Sequence, residues 1–268
     1  MEIIFSVGIY INSFLGLSVA EGMPQKKNTK EKRAGGREEY IISNFSLIWA
    51  DTLGLSGRAK ALFRLECSPE VANYITRPID SIEAALAIGE ALEGGKCSVI
   101  LDAFACVGGN AIGFVSYFKN SAVFAVQRVA SQEENDRFAR LNHNLSMVTR
   151  LVERTKPCTA VPMDVRSFIQ DINPETIPEV SVLNLDPPWA LGPNLDQISP
   201  LWMIRRFLID NVFTPCRAKQ INPRIICLKV PERIADVESW PALPVEYTLH
   251  TYVFVRSKYH LYILTSAA

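Results

Sequence analysis

The sequence predicts an α/β fold in which a mostly parallel, seven-stranded sheet carries helices on both faces. Two observations favour it: short apolar segments alternate with helical ones between residues 98 and 230, and two more apolar segments, 245–255 and 258–264, end the chain. Alternation predicts parallel strands, because a parallel connection needs a crossover helix. The final pair, separated only by Arg256 and Ser257, predicts an antiparallel hairpin at the sheet edge.

The individual elements follow from local apolar spacing. We place the first five strands at residues 98–103, 122–126, 158–162, 180–185 and 224–230. The helices that cross between them are placed at residues 109–118, 132–148 and 198–212. In an open α/β sheet, ligands bind outside the carboxyl ends of the strands, so the residues that follow each strand are the first candidates for a site.

Three regions are expected along the chain: an N-terminal extension over 1–40, a helical arm over 41–95 and a catalytic-type α/β domain over 96–268. Within the arm, residues 41–55 and 69–92 carry helical apolar spacing. Ser68 followed by Pro69 is typical of a helix start, and Gly94 with Gly95 is typical of a helix end.

The extension consists of an uncharged segment, 3–20, followed by a polar, lysine-rich stretch. Four interpretations stay open: translation that starts at Met23, a segment packed on the domain, a cleaved signal, or a membrane anchor. The segment is marginal in length for a bilayer. A signal peptide would have a Lys or Arg before the apolar segment, and none is present here. We therefore expect no stable membrane association.

Charge and cysteine content exclude several function classes. The 28 basic and 28 acidic residues give a formal net charge of zero. Coating duplex DNA or an anionic membrane needs an excess of Lys and Arg, so neither is expected as the main partner. The six cysteines form no C-x-x-C pair and only three histidines are present, so no structural zinc or other metal is expected.

The first chemical motif is DAFACVGGN, residues 102–110, which joins a strand to a helix through a glycine turn. Gly108 and Gly109 would let the backbone approach a ligand, and the helix amides favour an anion. Asp102 suits an amino group. An acid beside helix amides fits the methionine end of S-adenosylmethionine better than a dinucleotide, whose G-x-G-x-x-G spacing is missing. A glycine turn with a helix-capping Asp is the alternative.

The second motif is NLDPPW, residues 184–189, which follows the fourth predicted strand. Pro187 and Pro188 stiffen the loop and remove two backbone donors. A planar base can stack on Trp189 while Asp186 and the Pro187 carbonyl accept hydrogens from an exocyclic amine. The alternative is a loop in which Trp189 fills the core and Asp186 caps a turn. Together the two motifs predict methyl transfer to an amine.

The segments VILDAFACVGGNAIGF and LNLDPPWALGP resemble the trimethylguanosine synthase family. The resemblance implies a class I, Rossmann-like methyltransferase that uses S-adenosylmethionine to methylate N2 of the 7-methylguanosine cap on small nuclear or nucleolar RNA. It implies capped RNA, or the proteins of its ribonucleoprotein, as partners, and the nucleus or cytoplasm as location. Matching positions are Asp102, Phe104, Gly108, Gly109, Asn110, Pro187, Pro188 and Trp189.

The chain departs from the family pattern at three places. Cys106 replaces a glycine of the turn, and Asp186 replaces a serine, as in enzymes that methylate adenine N6. Gln127 stands where the family has an acid for the cofactor ribose, unless Glu133 or Glu134 supplies it. Adenine-N6 or internal guanine-N2 methylation, and a catalytically silent cap- or RNP-binding relative, therefore remain alternatives.

Two further groups of candidates come from position alone. Asp164, after the third strand, could contact the adenine amine of the cofactor or cap the next helix. Basic residues crowd segment 201–230, and such a patch could take a triphosphate bridge; a solvated helix face is the alternative. The patch consists of Arg205, Arg206, Arg217, Lys219, Arg224 and Lys229.

Overall fold

The structure is a computed structural model. It describes residues 45–68, 71, 75–94, 96–173, 177, 179–187, 206, 208–232, 247–254 and 259–266. The chain divides into two compact units, Met1–Tyr74 and Ile75–Ala268. The N-terminal extension, Pro188, Trp189 and Arg205 lie outside the described residues.

The described part of the first unit includes two short helical segments. Residues 45–52 are helical, within the stretch whose spacing predicted a helix, and α1 spans Gly57–Leu62. Trp49, Phe63 and Leu65 are buried. The Leu65 amide donates a hydrogen bond of 2.9 Å to Ser46 Oγ. This bond connects the residues that follow α1 to the helix over 45–52.

The sheet of the second unit has seven strands. They are β1 Val99–Asp102, β2 Ala122–Val126, β3 Cys158–Val161, β4 Val182–Leu185, β5 Ile225–Pro231, β6 Tyr247–Phe254 and β7 Tyr259–Ser266. Their order is β3-β2-β1-β4-β5-β7-β6. Strands β1 to β5 pair in parallel, and β7 runs antiparallel to both β5 and β6. This is the class I methyltransferase arrangement, and the predicted fold class is confirmed.

The described helices of the second unit are α2 Pro78–Ala91, α3 Gly109–Tyr117, α4 Gln132–Thr149, α5 Val165–Asp171 and α6 Thr214–Ala218. The helices predicted at 109–118 and 132–148 are confirmed, whereas most of the helix predicted at 198–212 lies outside the described residues. A π-helical turn, Ile209–Phe213, leads directly into α6. Helix α2 starts at Pro78 because Arg77 has extended backbone, as the residue before proline favours.

The central strands are buried on both faces. Ile100, Leu183 and Ile226 are at most 1% exposed. Such strands have continuous apolar runs because helices cover both sides of a parallel sheet. Their burial fixes the carboxyl ends of β1, β4 and β5, which are the ends that carry the polar residues of both motifs.

Helices α2 and α3 approach each other closely through small residues. A Cβ at Gly113 would lie 2.0 Å from Ser81 Oγ, and a Cβ at Gly89 would lie 2.8 Å from Tyr117 Oη. Ser81 Oγ in turn donates to the Gly109 and Asn110 carbonyl oxygens at 2.9 and 3.2 Å. These contacts fix the first turn of α3, where the glycine motif ends.

Within the part of the chain that the structure describes, no helix is both long enough and apolar enough to cross a membrane.

Candidate functional site

The two motifs meet between β1 and β4, where the strand order reverses direction along the sheet. Ligands of open α/β sheets bind at such a switch point. Asp102 ends β1 and is paired in register with Asn184 of β4. The Asn184 amide donates a hydrogen bond of 2.9 Å to Asp102 Oδ1, so one residue of each motif is joined at the strand ends.

Asp102 is fully buried, and its Oδ2 accepts no hydrogen bond from the described residues. Burial raises the pKa of this carboxyl to about 7, against the hydrogen bond from Asn184, which lowers it. A buried carboxylate oxygen without a donor is costly unless a ligand supplies one. Its position and charge fit a bound ammonium group.

The turn between β1 and α3 requires left-handed backbone at two positions. Gly108 has φ +100°, a conformation that favours glycine. Cys106 has φ +51°, which explains why the family pattern has glycine there. The side chain of Asn144, fully buried on α4, donates a hydrogen bond of 2.8 Å to the Val107 carbonyl and holds the turn in place.

Gly109 was expected to let the backbone approach a ligand, but the space beside it is occupied by Thr76. A Cβ there would lie 2.9 Å from the amide nitrogen and 3.0 Å from the carbonyl oxygen of Thr76. Glycine at this position therefore allows the chain before α2 to pack on the start of α3. This brings the Thr76 side chain to the end of β4.

Asp186, which follows β4, is the centre of a polar cluster. Its Oδ2 accepts hydrogen bonds from Lys229 Nζ at 2.7 Å, Asn110 Nδ2 at 3.0 Å and Thr76 Oγ1 at 3.1 Å. Lys229 also donates to Thr76 Oγ1 at 2.7 Å. All these bonds go to one carboxylate oxygen, and Oδ1 accepts none from the described residues. We call Thr76, Asn110, Asp186 and Lys229 the Asp186 cluster.

Lys229 lies in this cluster and not on a solvated basic face. Its side chain is 15% exposed, and that of Asp186 is 14% exposed. The ammonium also lies 4.6 Å from the centre of the Tyr259 ring, whose own hydroxyl has a pKa raised by burial. Lys229 thus pairs with Asp186, and its contact with substrate phosphate stays a prediction.

Two other basic residues of segment 201–230, Arg224 and Arg206, have partners outside the Asp186 cluster. Arg224 lies five positions before Lys229 on β5, roughly 16 Å away along the strand, and it donates to the Lys96 carbonyl. Arg206 is exposed and pairs with Asp210 at 3.2 Å. The phosphate patch as a whole stays a prediction.

Gln127 and Glu134 follow β2, where the sequence analysis expected a contact with the cofactor ribose. The Gln127 side chain is half-buried and donates to the Arg128 carbonyl at 2.8 Å. Glu134 accepts from Arg128 at 2.6 Å and from the Ala130 amide at 2.6 Å, and the Arg128 contact lowers the pKa of its carboxyl. Glu134 fixes the start of α4, whereas Glu133, the other candidate acid, is 70% exposed and pairs with Arg137. Gln127 is the polar residue at the end of the strand itself.

Asp164 caps helix α5, as one of its two interpretations expects. Its Oδ1 accepts from the Arg166 amide at 2.9 Å. The side chain is 36% exposed, so capping leaves part of it open to a ligand. Phe104 is half-buried and packs against the core, and Pro187 is buried directly after Asp186.

Three polar residues of the site escaped the sequence analysis. Asn184 precedes Asp186 by two positions, so strand alternation could have placed both on one side. Asn144 lies in a predicted helix, where an asparagine suggests an exposed position. Its contact with the Val107 carbonyl is seen only in the structure. Thr76 gives no sequence signal, since its contact with Asp186 spans 110 positions. Among the described residues, no group of His, Cys, Asp and Glu could hold a metal ion.

Comparison with known proteins finds no matching family model and no similar sequence among curated proteins. Among solved structures, TrmN from Thermus thermophilus is 16% identical, with 69% of this chain and 49% of that one covered and a TM-score of 0.46. An rRNA methylase from Streptococcus thermophilus is 14% identical, with 72% and 99% covered and a TM-score of 0.39.

A SAM-dependent methyltransferase from Neisseria gonorrhoeae is 13% identical, with 68% of this chain and 66% of that one covered and a TM-score of 0.41. These TM-scores are low. The assignment of the fold therefore rests on the strand order and pairing described above.

Proposed function

We propose that this protein is an S-adenosylmethionine-dependent methyltransferase that acts on an exocyclic amine of an RNA base. One observation carries the proposal: the hydrogen bonds Asn184–Asp102 and Asn110–Asp186 join the two motifs at the switch point of the sheet. A carboxylate suited to the cofactor and one suited to the amine thus stand at neighbouring strand ends. The names of the similar structures, which include an rRNA methylase, agree with it.

The cofactor proposal rests on Asp102 and the turn that follows it. The buried Oδ2 without a donor fits the amino group of the methionine moiety, and Gly108 opens the turn beside it. Gln127 and Asp164 are the remaining polar candidates for the ribose and the adenine. When bound, S-adenosylmethionine supplies an electrophilic methyl group on a sulfonium ion.

Asp186 orients the amine. Its Oδ1, which accepts nothing from the described residues, and the Pro187 carbonyl can each accept an amine hydrogen. The nitrogen lone pair then points away from both acceptors. Proximity and a fixed orientation supply most of the rate gain in such a reaction, so no strong general base is needed.

As substrate we propose N2 of the 7-methylguanosine cap of small nuclear or nucleolar RNA, acted on in the nucleus or cytoplasm. The support is the family resemblance of both motifs and the indole of Trp189, since a cationic 7-methylguanine stacks on an aromatic ring more strongly than a neutral base. A near-zero net charge agrees with recognition of a cap in preference to a long RNA.

Adenine N6 is the second candidate, and the Asp186 cluster is the observation that favours it. Guanine presents N1–H beside its N2 amine, so both carboxylate oxygens would be useful. Here Oδ2 is occupied by the donors of the cluster. The cluster thus offers one acceptor, Oδ1, beside several donors. This pattern matches the base edge of adenine, on which the N6 amine lies next to the ring acceptor N1.

Transfer of a tritiated methyl group separates these candidates. The full-length protein is incubated with RNA that bears a 7-methylguanosine cap, RNA with an unmethylated guanosine cap, and uncapped RNA that contains adenine. We expect labelling of the first RNA, and loss of that labelling in Trp189→Ala with the affinity for S-adenosylmethionine retained.

Equal labelling of both capped RNAs would contradict the stacking argument. Label on adenine N6 of the uncapped RNA would assign the protein to the second candidate. No label on any RNA, with the cofactor bound, would identify a silent binding relative.

A further inference from the structure

We propose that Lys229 is a positioning residue that fixes which oxygen of Asp186 faces the substrate amine. The inference rests on the proposed function, because it concerns the same carboxylate. It assigns Lys229 to orientation of a side chain of the protein, where the sequence had suggested contact with phosphate.

The first support is the one-sided hydrogen bonding of Asp186. Lys229, Asn110 and Thr76 all donate to Oδ2, at 2.7, 3.0 and 3.1 Å. A carboxylate on a short side chain can rotate about its last bond, and its two oxygens are chemically equal until donors distinguish them. With the donors on one side, Oδ1 is the oxygen of this carboxylate that remains able to accept a hydrogen from the amine.

The second support is the way in which Lys229 itself is held. Its ammonium lies 4.6 Å from the centre of the Tyr259 ring on β7 and donates to Thr76 Oγ1 at 2.7 Å. The aliphatic part of the side chain is carried by β5, the strand next to β4. Contacts to three separate elements fix the ammonium, so its hydrogen bond to Oδ2 can prevent the Asp186 carboxylate from rotating.

The third support is the energetic role of such a contact. An ion pair at 14–15% exposure loses much of its hydration, so it adds little net stability compared with an apolar pair. What it supplies is geometry, since charge-assisted hydrogen bonds are short and directional. A methyl transfer that depends on orientation of the amine gains from that geometry.

The test is a double-mutant cycle on the rate of methyl transfer. Lys229→Met keeps the chain length and removes the charge. Asp186→Ser introduces the serine of the family that the chain resembles, which leaves no carboxylate to orient. We expect Lys229→Met to lower kcat at least tenfold in the wild-type background and less than threefold in the Asp186→Ser background, with KM for S-adenosylmethionine changed less than twofold in both.

Three further variants protect the cycle against trivial outcomes. Lys119→Met is the same substitution on an exposed lysine outside the cluster, and should leave kcat unchanged. Lys229→Arg restores the charge and should recover part of kcat. Thr76→Val removes one donor to Oδ2 with little change of shape, and should lower kcat a few-fold, so the inference stays testable if Lys229→Met fails to fold.

Equal effects of Lys229→Met in the two backgrounds would overturn the inference and leave the proposed function standing. The same holds for a rise in KM for RNA at constant kcat, which would return Lys229 to phosphate contact. Absence of transfer by the wild-type protein on any of the three RNAs would overturn the proposed function, and the inference with it.

Discussion

At the scale of single residues, Asp102 is the most informative position. It ends β1, is fully buried and has a pKa raised to about 7 by that burial. The sequence predicted an acid beside a glycine turn, but not that one of its oxygens would lack a donor. The other oxygen, Oδ1, accepts its hydrogen bond from Asn184, which is close enough only because β4 pairs with β1 in register.

The raised pKa makes folding stability depend on pH. Between pH 3.8, the ordinary pKa of an aspartate, and about pH 7, the folded protein holds a proton on Asp102 that the unfolded chain has lost. Raising the pH through this window therefore favours the unfolded chain. Asp102→Asn cannot ionise, so it should gain on wild type by up to roughly 4 kcal/mol between pH 4 and pH 7, at about 1.4 kcal/mol per pKa unit.

Urea unfolding of both proteins at pH 4, 5.5 and 7 measures this difference, because the other titrating groups cancel between them. A free-energy difference that stays constant with pH would show that Asp102 is ionised in the folded protein throughout this range. Water would then have to reach the Asp102 carboxyl, which is fully buried in the structure.

At the scale of elements, the packing of α2 on α3 positions the glycine motif. The sequence predicted helical spacing over 69–92, of which α2 forms Pro78–Ala91, and a helix over 109–118 after the glycine turn, which is α3. It could not predict their contact, because Gly113 reads only as a weak helix former. Its purpose becomes clear when Ser81 is seen to occupy the space of the missing side chain.

Gly113→Ala should therefore destabilise the protein, although alanine is the better helix former by about 1 kcal/mol. The new Cβ would lie 2.0 Å from Ser81 Oγ and 2.9 Å from the Ser81 carbonyl oxygen, so the helices must separate. We expect a net loss of about 1–3 kcal/mol, typical of overpacked sites, measured by urea unfolding.

Ser116→Ala on the same helix is the matched control. Among the described residues, the Ser116 hydroxyl bonds only to the Ile112 carbonyl of its own helix, so this change should alter stability by less than about 0.5 kcal/mol. A Gly113→Ala protein as stable as wild type would mean that α2 and α3 are not in the contact described.

At the scale of the whole molecule, the strand order explains why two motifs about 80 positions apart form one site. Alternation of strand and helix predicted the parallel sheet, and the terminal apolar pair predicted the antiparallel edge. Arg224 and Lys229, two members of the basic segment, lie towards opposite ends of β5 and have different partners, which their nearness in sequence does not indicate.

The most direct measurement is a calorimetric titration of the full-length protein with S-adenosylmethionine at pH 5.5 and pH 7. Binding of an ammonium group beside Asp102 requires the ionised carboxyl, whose pKa is about 7. We expect binding at pH 7 that weakens about tenfold at pH 5.5, which is a loss of about 1.4 kcal/mol. In Asp102→Asn, binding should be at least about tenfold weaker at pH 7 and independent of pH. Absence of binding at both values, or equal affinity of wild type and Asp102→Asn, would contradict a cofactor site at the end of β1.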